Sequence, residues 1–331
     1  MTAAGADNRP ILYQTFPNAG SNSTNNSRLN TNVTDAILMR NTSKPYSYFI
    51  TAQFKKSFGI GLDASVAYTY TQSKSVNDGG SIAQSVWRDR QITADPNDNV
   101  LGFSNFLKPH RIIAALNYRK EYAGFLGTSV GLFYELSQTG TSSGFVTSRF
   151  SYVYSGDMNG DNAGGNNDLM HIPKAQSEIA LTPITNADAT IYTPAQQWAD
   201  LDEYISQDKY LSKHRGEYAE RNGAIMPWRG QLDVRILQDF YIKTGGKRNT
   251  IQLSLDIFNA GNLVNSNWGV LKTYNRNNLI TFRGYDGARV PQFQYPYLNA
   301  ATKTPLTTTF RDDLAVLSRW QMQLGLRYIF N

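Results

Sequence analysis

Cysteine is absent from all 331 residues, which rules out a disulfide scaffold, thiolate metal sites and a cysteine nucleophile. Long hydrophobic runs are missing too: no window approaches the ~18–20 continuous apolar residues of a spanning helix. Charged residues make up 18% of the chain and mean hydropathy is −0.44, so apolar residues are present but interleaved with polar ones. A membrane protein of this composition has to cross by strands, because lumen-facing residues dilute the hydropathy of a β-barrel. Clustered positive charge is lacking as well. The net charge of +6 is spread over scattered Lys and Arg, with short pairs such as Lys55–Lys56 and Lys247–Arg248, so nucleic acid is not an expected partner. Between Met1 and Pro10 there is no charged n-region, apolar h-region or cleavage site. From this we expect the C-terminal part of a longer protein, or a mature segment with a start residue added.

What is abundant is aromatic: 20 Tyr and 16 Phe bring the aromatic share to 12%. They sit in stretches that alternate with period two, as a strand with two different faces requires. The clearest is the last, Trp320 to Phe330. Trp320, Met322, Leu324, Leu326, Tyr328 and Phe330 form one face, and Gln321, Gln323, Gly325 and Arg327 the other. An apolar face bracketed by aromatics suits a strand with hydrocarbon on one side and water on the other. The ending also resembles the assembly signal of outer-membrane barrels, carried here by Gln323, Gly325, Tyr328 and Phe330.

The same alternation predicts strands over Tyr46–Phe58, Gly59–Ser73, Pro109–Arg119, Gly127–Gln138, Trp228–Ile242 and Thr250–Ala260, with a weaker one at Asp35–Arg40. That makes about eight spanning strands of near ~10 residues each. Residues 1–33 read as loop or an N-terminal remnant, and 34–331 as barrel, with outward excursions at 139–227 and 261–317. If the C-terminus is periplasmic, Gly59, Ala123–Leu126 and Lys243–Arg248 are inner turns, and every long connection falls outside. Short turns inside and long loops outside is the outer-membrane pattern. Within the first of those two excursions, Thr193-Pro-Ala-Gln196 is a capping box with Pro at the first helical position, predicting a helix over Pro194–His214.

Asp157, Asn159, Asp161 and Asp168 occupy positions 1, 3, 5 and 12 of a calcium-type loop, with Asn162 where such loops carry Gly. The competing reading is a polar turn cluster. Gly140-Thr-Ser142-Ser-Gly144 matches the nucleophile-elbow pattern, but an extended stretch, Phe145–Tyr154, follows where the elbow needs a helix. His110, His171 and His214 have no readable partners, and the loop pair is expected to be solvated. No enzyme is expected. Asp63, Arg111, Arg119, Glu135, Asp233, Arg235, Asp239, Asp256 and Arg327 fall on the polar strand faces and are expected as a set to line a path or grip a plug.

Three stretches resemble the C-terminal half of the barrel in Oar-like TonB-dependent outer-membrane receptors of Bacteroidetes-type bacteria. They are YSGDMNGDNAGGNNDLMHIP (Tyr154–Pro173), the run from Gln197 through WADLDEYISQDKYLSKHRGEYAERNGAIMP to Trp228, and DIFNAGNLVNSNWG (Asp256–Gly269). The resemblance extends over most of the chain from about Ala36. It implies a plugged barrel of about 22 strands, of which this chain supplies the closing third. It also implies a location in the bacterial outer membrane and contact with its lipid and with the barrel assembly machinery. An N-terminal plug, the remaining strands and a TonB-type energy coupler are the other implied partners. Substrate would be caught by extracellular loops and imported. The alternative is a self-contained small barrel acting as adhesin or anchor without transport. Small closed barrels pack their interiors, and Gly61, Ser65, Thr69, Gly131 and Gly325 leave little bulk on the polar face.

Overall fold

The structure, a computed structural model, describes residues 2–12, 38, 40–93, 95–105, 107–161 and 166–330. Each strongly alternating stretch forms a strand. These are β1 (Tyr46–Phe58), β2 (Leu62–Ser75), β3 (His110–Tyr122), β4 (Leu126–Gln138), β5 (Trp228–Thr244), β6 (Lys247–Phe258) and β7 (Gln321–Ile329). They pair antiparallel with their chain neighbours in one sheet, and the short strand Gly102–Phe103 adds to the end of β2. The architecture is antiparallel β, and among the described residues no helix is long and apolar enough to cross a membrane. Seven long strands are described; the expected weak strand Asp35–Arg40 falls mostly outside the described residues.

Register carries the alternation across the whole sheet. Phe58, Leu62, Tyr118, Val130, Ile236, Leu255 and Leu324 are successive cross-strand partners from β1 to β7, a row without a polar aliphatic or charged member. One residue along, Ser57, Asp63, Asn117, Gly131, Arg235, Asp256 and Gln323 form the next row, polar throughout but for the glycine. A slip of one residue on any strand would exchange these rows. Among the described residues the apolar face is left largely uncovered. On the apolar face Leu324 and Leu326 are 78% and 74% exposed, far beyond the isolated surface hydrophobics that a water-facing sheet tolerates.

The two ends of the sheet differ. At one end the strands are joined by tight turns. Gly245 and Gly246, both at positive φ, make the two-residue β5–β6 hairpin whose twist matches its strands. Gly61, at φ 81°, docks the β1–β2 turn onto β3, where a side chain would collide with the carbonyl oxygen of Arg119. At the other end run the excursions 76–109, 139–227 and 259–320, and these fold together into a cap. The buried apolar cluster of the described chain lies there, built on Tyr152, Tyr154, Tyr204, Leu201, Phe282 and Tyr295, and joined by Ala3 and Ile11 from the segment 2–12.

The helix α1 (Pro194–Gln207) opens with the expected capping box and packs Leu201, Tyr204 and Ile205 into that core. It stops earlier than its pattern predicts. The Asp208 carboxylate accepts the backbone N–H groups of Tyr210 and Leu211 at 2.9 and 2.8 Å, and the Tyr152 hydroxyl at 2.7 Å. These bonds hold Asp208 in an extended conformation, so the remaining residues restart as a tight turn at Leu211–Lys213.

Candidate functional site

On the polar face the sheet brings most of the charged set into pairs between strands, of which Arg119–Asp239 reaches across β4. Arg111 grips Glu135 with two bonds of 3.0 and 2.9 Å. Arg119 reaches Asp239 at 3.1 Å and Glu121 at 3.0 Å, and Arg235 reaches Asp256 at 3.2 Å. Asp233 accepts the backbone N–H of Asn259 at 2.8 Å, Asp63 accepts the Ser57 hydroxyl, and Arg327 stands opposite Gln252. The arginines are 43–56% exposed, so each pair contributes at most ~1 kcal/mol. What the ladder supplies is a wet wall of alternating sign. A shallow cleft of about 190 Å³ lies between Asp63, Asn117, Arg119 and Arg235.

The apolar face ends in aromatic clusters on the cap side. His110 lies between Tyr70 and Trp228, at ring separations of 5.4 and 6.0 Å, and its Nδ1 is 2.8 Å from the Tyr68 hydroxyl. Tyr48 continues the belt, 6.3 Å from Tyr70. On the turn side Tyr328 stacks on Phe330 at 5.9 Å, at one end of the cross-strand row that also carries the exposed Phe240 and Tyr122. Between the two belts run mainly apolar rows, broken next to the turn-side belt by Gln238, Thr128 and Lys120; two aromatic belts about an apolar band are the arrangement that interfaces with a bilayer favour.

Along β7 the assembly-signal residues divide by parity. Gln323 and Gly325 face Asp256 and Ser254 on the polar side, while Tyr328 faces Ile251 on the apolar side and donates to Asn249 Oδ1 at 2.9 Å. Phe330 is 73% exposed. β7 pairs with β6 alone among the described strands, and β1 with β2 alone.

Inside the cap, Asp157, Asn159, Asp161 and Asp168 are brought into one buried knot. Their oxygens turn to the chain itself. Asp157 Oδ1 accepts Gly160 N–H at 2.7 Å, Asn159 Oδ1 accepts Asp161 N–H at 2.9 Å, and Asp168 Oδ2 accepts Met158 N–H at 2.7 Å. Asn162 lies outside the described residues. Among the described residues no group of three or more His, Asp or Glu side chains is placed to hold a metal ion. The centre of the knot is a cation of the chain. Arg9, fully buried, donates to both carboxylate oxygens of Asp7 at 2.9 Å, to Asp168 Oδ1 at 3.1 Å and to the Leu169 carbonyl at 2.6 Å. Its guanidinium lies over the Tyr154 and Tyr218 rings at 5.1 and 5.4 Å. Both hydroxyls donate to Asp7, at 2.9 and 3.0 Å.

These surroundings split the two carboxylates. Burial pushes Asp7 up, but Arg9 and the hydrogen bonds it receives outweigh that and hold it below the ordinary value. Burial pushes Asp168 up to about 7, against the pull of Arg9 and with a further push from Asp161 and Asp157. A raised carboxyl keeps its proton in the folded state while the unfolded chain releases it. The Asp168 contribution to stability therefore falls as pH rises from its ordinary 3.8 to about 7, and is flat beyond. Burial lowers His171, which acts in the opposite sense. In a His171→Gln background we expect the cap to melt at a lower temperature at about pH 8 than at about pH 5; tyrosine near-UV dichroism reads this, and the reverse order would refute the assignment.

Several sequence expectations change. His171 is buried at 7% exposure, with the Tyr218 ring 5.3 Å away, because excursion 139–227 folds back on itself instead of lying in solvent. The Gly140–Gly144 stretch, by contrast, runs on as the extended chain expected there, in a hairpin of Gly140–Ser142 against Phe145–Thr147, with the Ser142 hydroxyl 2.5 Å from that of Tyr274. Arg9 and Asp7 gave no signal in sequence, since Asp168 lies 159 residues from Arg9 and Tyr154 lies 147 residues from Asp7. Compared with known proteins, the chain matches no family model, no curated protein and no solved structure.

Proposed function

We propose that this chain is the closing portion of the barrel of an Oar-like TonB-dependent receptor in a bacterial outer membrane. The cap captures a substrate at the cell surface, and the polar face of the sheet lines the route inward. The observation that carries the reading is the pair of rows across β1 to β7, one apolar and largely uncovered and one polar, with tight turns at one end and a folded cap at the other. In this reading lipid covers the apolar rows between the two aromatic belts. The barrel assembly machinery engages β7 through Gln323, Gly325, Tyr328 and Phe330. A plug and a TonB-type coupler supply the energised step, and no bond is made or broken. Among the described residues the outer edges of β1 and β7 have no strand partner, which favours a wide barrel completed by further strands over a small barrel closed on itself.

An antibody raised against Gln197–Trp228 tests this in the native cell. The expected result is surface labelling of intact cells and an outer-membrane species far heavier than the 37.0 kDa of this chain. A heat-modifiable band at 37.0 kDa would replace the receptor by the small-barrel adhesin or anchor. A species recovered in the soluble fraction would remove the membrane reading altogether.

A further inference from the structure

Where β2 passes into the cap, two arginines point at one carbonyl. Arg90 Nη1 donates to Val76 O at 3.2 Å, and Arg221 Nη1 donates to the same oxygen. Both side chains are buried, at 9% and 7% exposure. A third, Arg149, binds the carbonyl of Asn222 at 3.0 Å and lies 4.0 Å over the Phe103 ring. Like charges in a poorly solvated place repel, and a buried charge calls for an opposite one.

Asp98 and Asp95 attract Arg90 without forming an ion pair with it, and the other nearby carboxylates are engaged with other groups. Asp78 accepts the Ser75 hydroxyl at 2.7 Å and Asn105 N–H at 3.0 Å. Asp89 pairs with Arg88 at 2.7 Å, and Glu220 with Lys74 at 3.6 Å. The three guanidiniums bond to carbonyl groups, and the Nε–H of each has no acceptor. Burial pushes Arg149 and Arg221 down to about 10, and Arg90 adds to the push on Arg221. Arg90 and Arg221 also line a polar cleft of about 360 Å³, together with Ser81, Ser85, Gln91 and Asn105 and the engaged carboxylates Asp78 and Asp89.

We propose that this cleft binds an oxyanion of the phosphate class. Two cationic forks flanked by hydroxyl and amide donors match an acceptor with three or four oxygens better than a carboxylate with two. The cleft opens where β2 gives way to the cap, so the phosphate belongs either to a soluble solute or to a lipid headgroup.

The test uses the whole chain folded in a phosphate-free detergent, with inorganic phosphate as probe and chloride at matched ionic strength as control. Saturable stabilisation of the cap by phosphate and not by chloride is expected. Arg90→Gln and Arg221→Gln should each weaken binding by about tenfold or more, since each removes charge-assisted hydrogen bonds. Gly102→Ala keeps every charge, but its Cβ would lie 2.6 Å from Arg221 Nε, and it should weaken binding by displacing that guanidinium. Equal melting in phosphate and chloride would overturn the proposal without any variant. So would binding that is untouched in folded R90Q and R221Q. Adding anionic phospholipid to the micelles separates the sources: lipid that displaces inorganic phosphate assigns the cleft to a headgroup, and lipid without effect assigns it to a soluble phosphate.

Discussion

Arg9→Met is expected to destabilise the cap by about 3–5 kcal/mol, the loss usual when one partner of a buried ion pair is removed. The size follows from what is left behind. Asp7 and Asp168 are 3% and 0% exposed, and the substitution strips both of the cation that compensates them. It also orphans the Leu169 carbonyl, which accepts from Arg9 at 2.6 Å. Met fills much the same volume, so little of the effect comes from a cavity. Arg111→Met is the contrast. That arginine makes a bidentate pair of equal quality with Glu135, but its side chain is 43% exposed, and its loss should stay within ~1 kcal/mol. Urea unfolding followed by tyrosine near-UV dichroism measures both. If the two variants lose the same amount, the Arg9 knot is not the organising centre of the cap.

The second large effect concerns the apolar face. Leu324→Arg places a cation in the all-apolar row near the middle of β7, and at a bilayer midplane this costs about 2–4 kcal/mol. Gln323→Arg puts the same charge one residue away, on the face with Asp256 as neighbour, where the expected cost is close to zero. Folding each variant into lipid vesicles and titrating with urea gives the two numbers. In water the order would collapse, since Leu324 is 78% exposed and an exposed Leu→Arg change is within about ±0.5 kcal/mol. Equal stability of the two variants would therefore place the sheet in water and end the receptor proposal.

The sheet was legible because it needs only local information. Period-two alternation marks the face of every residue, and β1 occupies Tyr46–Phe58, the bounds its pattern predicts. β5 runs two residues past its predicted end to Thr244, because the Gly245–Gly246 hairpin lets pairing continue to the turn. The cap was not legible. Its core joins Tyr152, Leu201 and Phe282 through contacts that no periodicity announces, and its central cation lies in a segment that reads as loop. The calcium-type spacing at Asp157–Asp168 did locate a real structural feature, a buried acidic knot. Spacing alone does not reveal whether such oxygens turn to an ion or to the backbone. The buried arginines at 90, 149 and 221 were invisible for a related reason: nothing local separates an arginine that will be solvated from one that will be enclosed.

The long connections have a consequence for how the molecule comes apart. Each leaves and re-enters the sheet through adjacent paired strands, as 139–227 does between β4 and β5. The closure entropy of that excursion is therefore already met by strand pairing and is not charged to the cap. The cap can then open and reclose without unzipping the ladders between the seven long strands, losing in the sheet only the short pairing of Gly102–Phe103 with the end of β2. Such a molecule unfolds in two stages, with hydrogen exchange fast in the cap and slow in the strands. The cap is free to change shape while the sheet beneath it holds still.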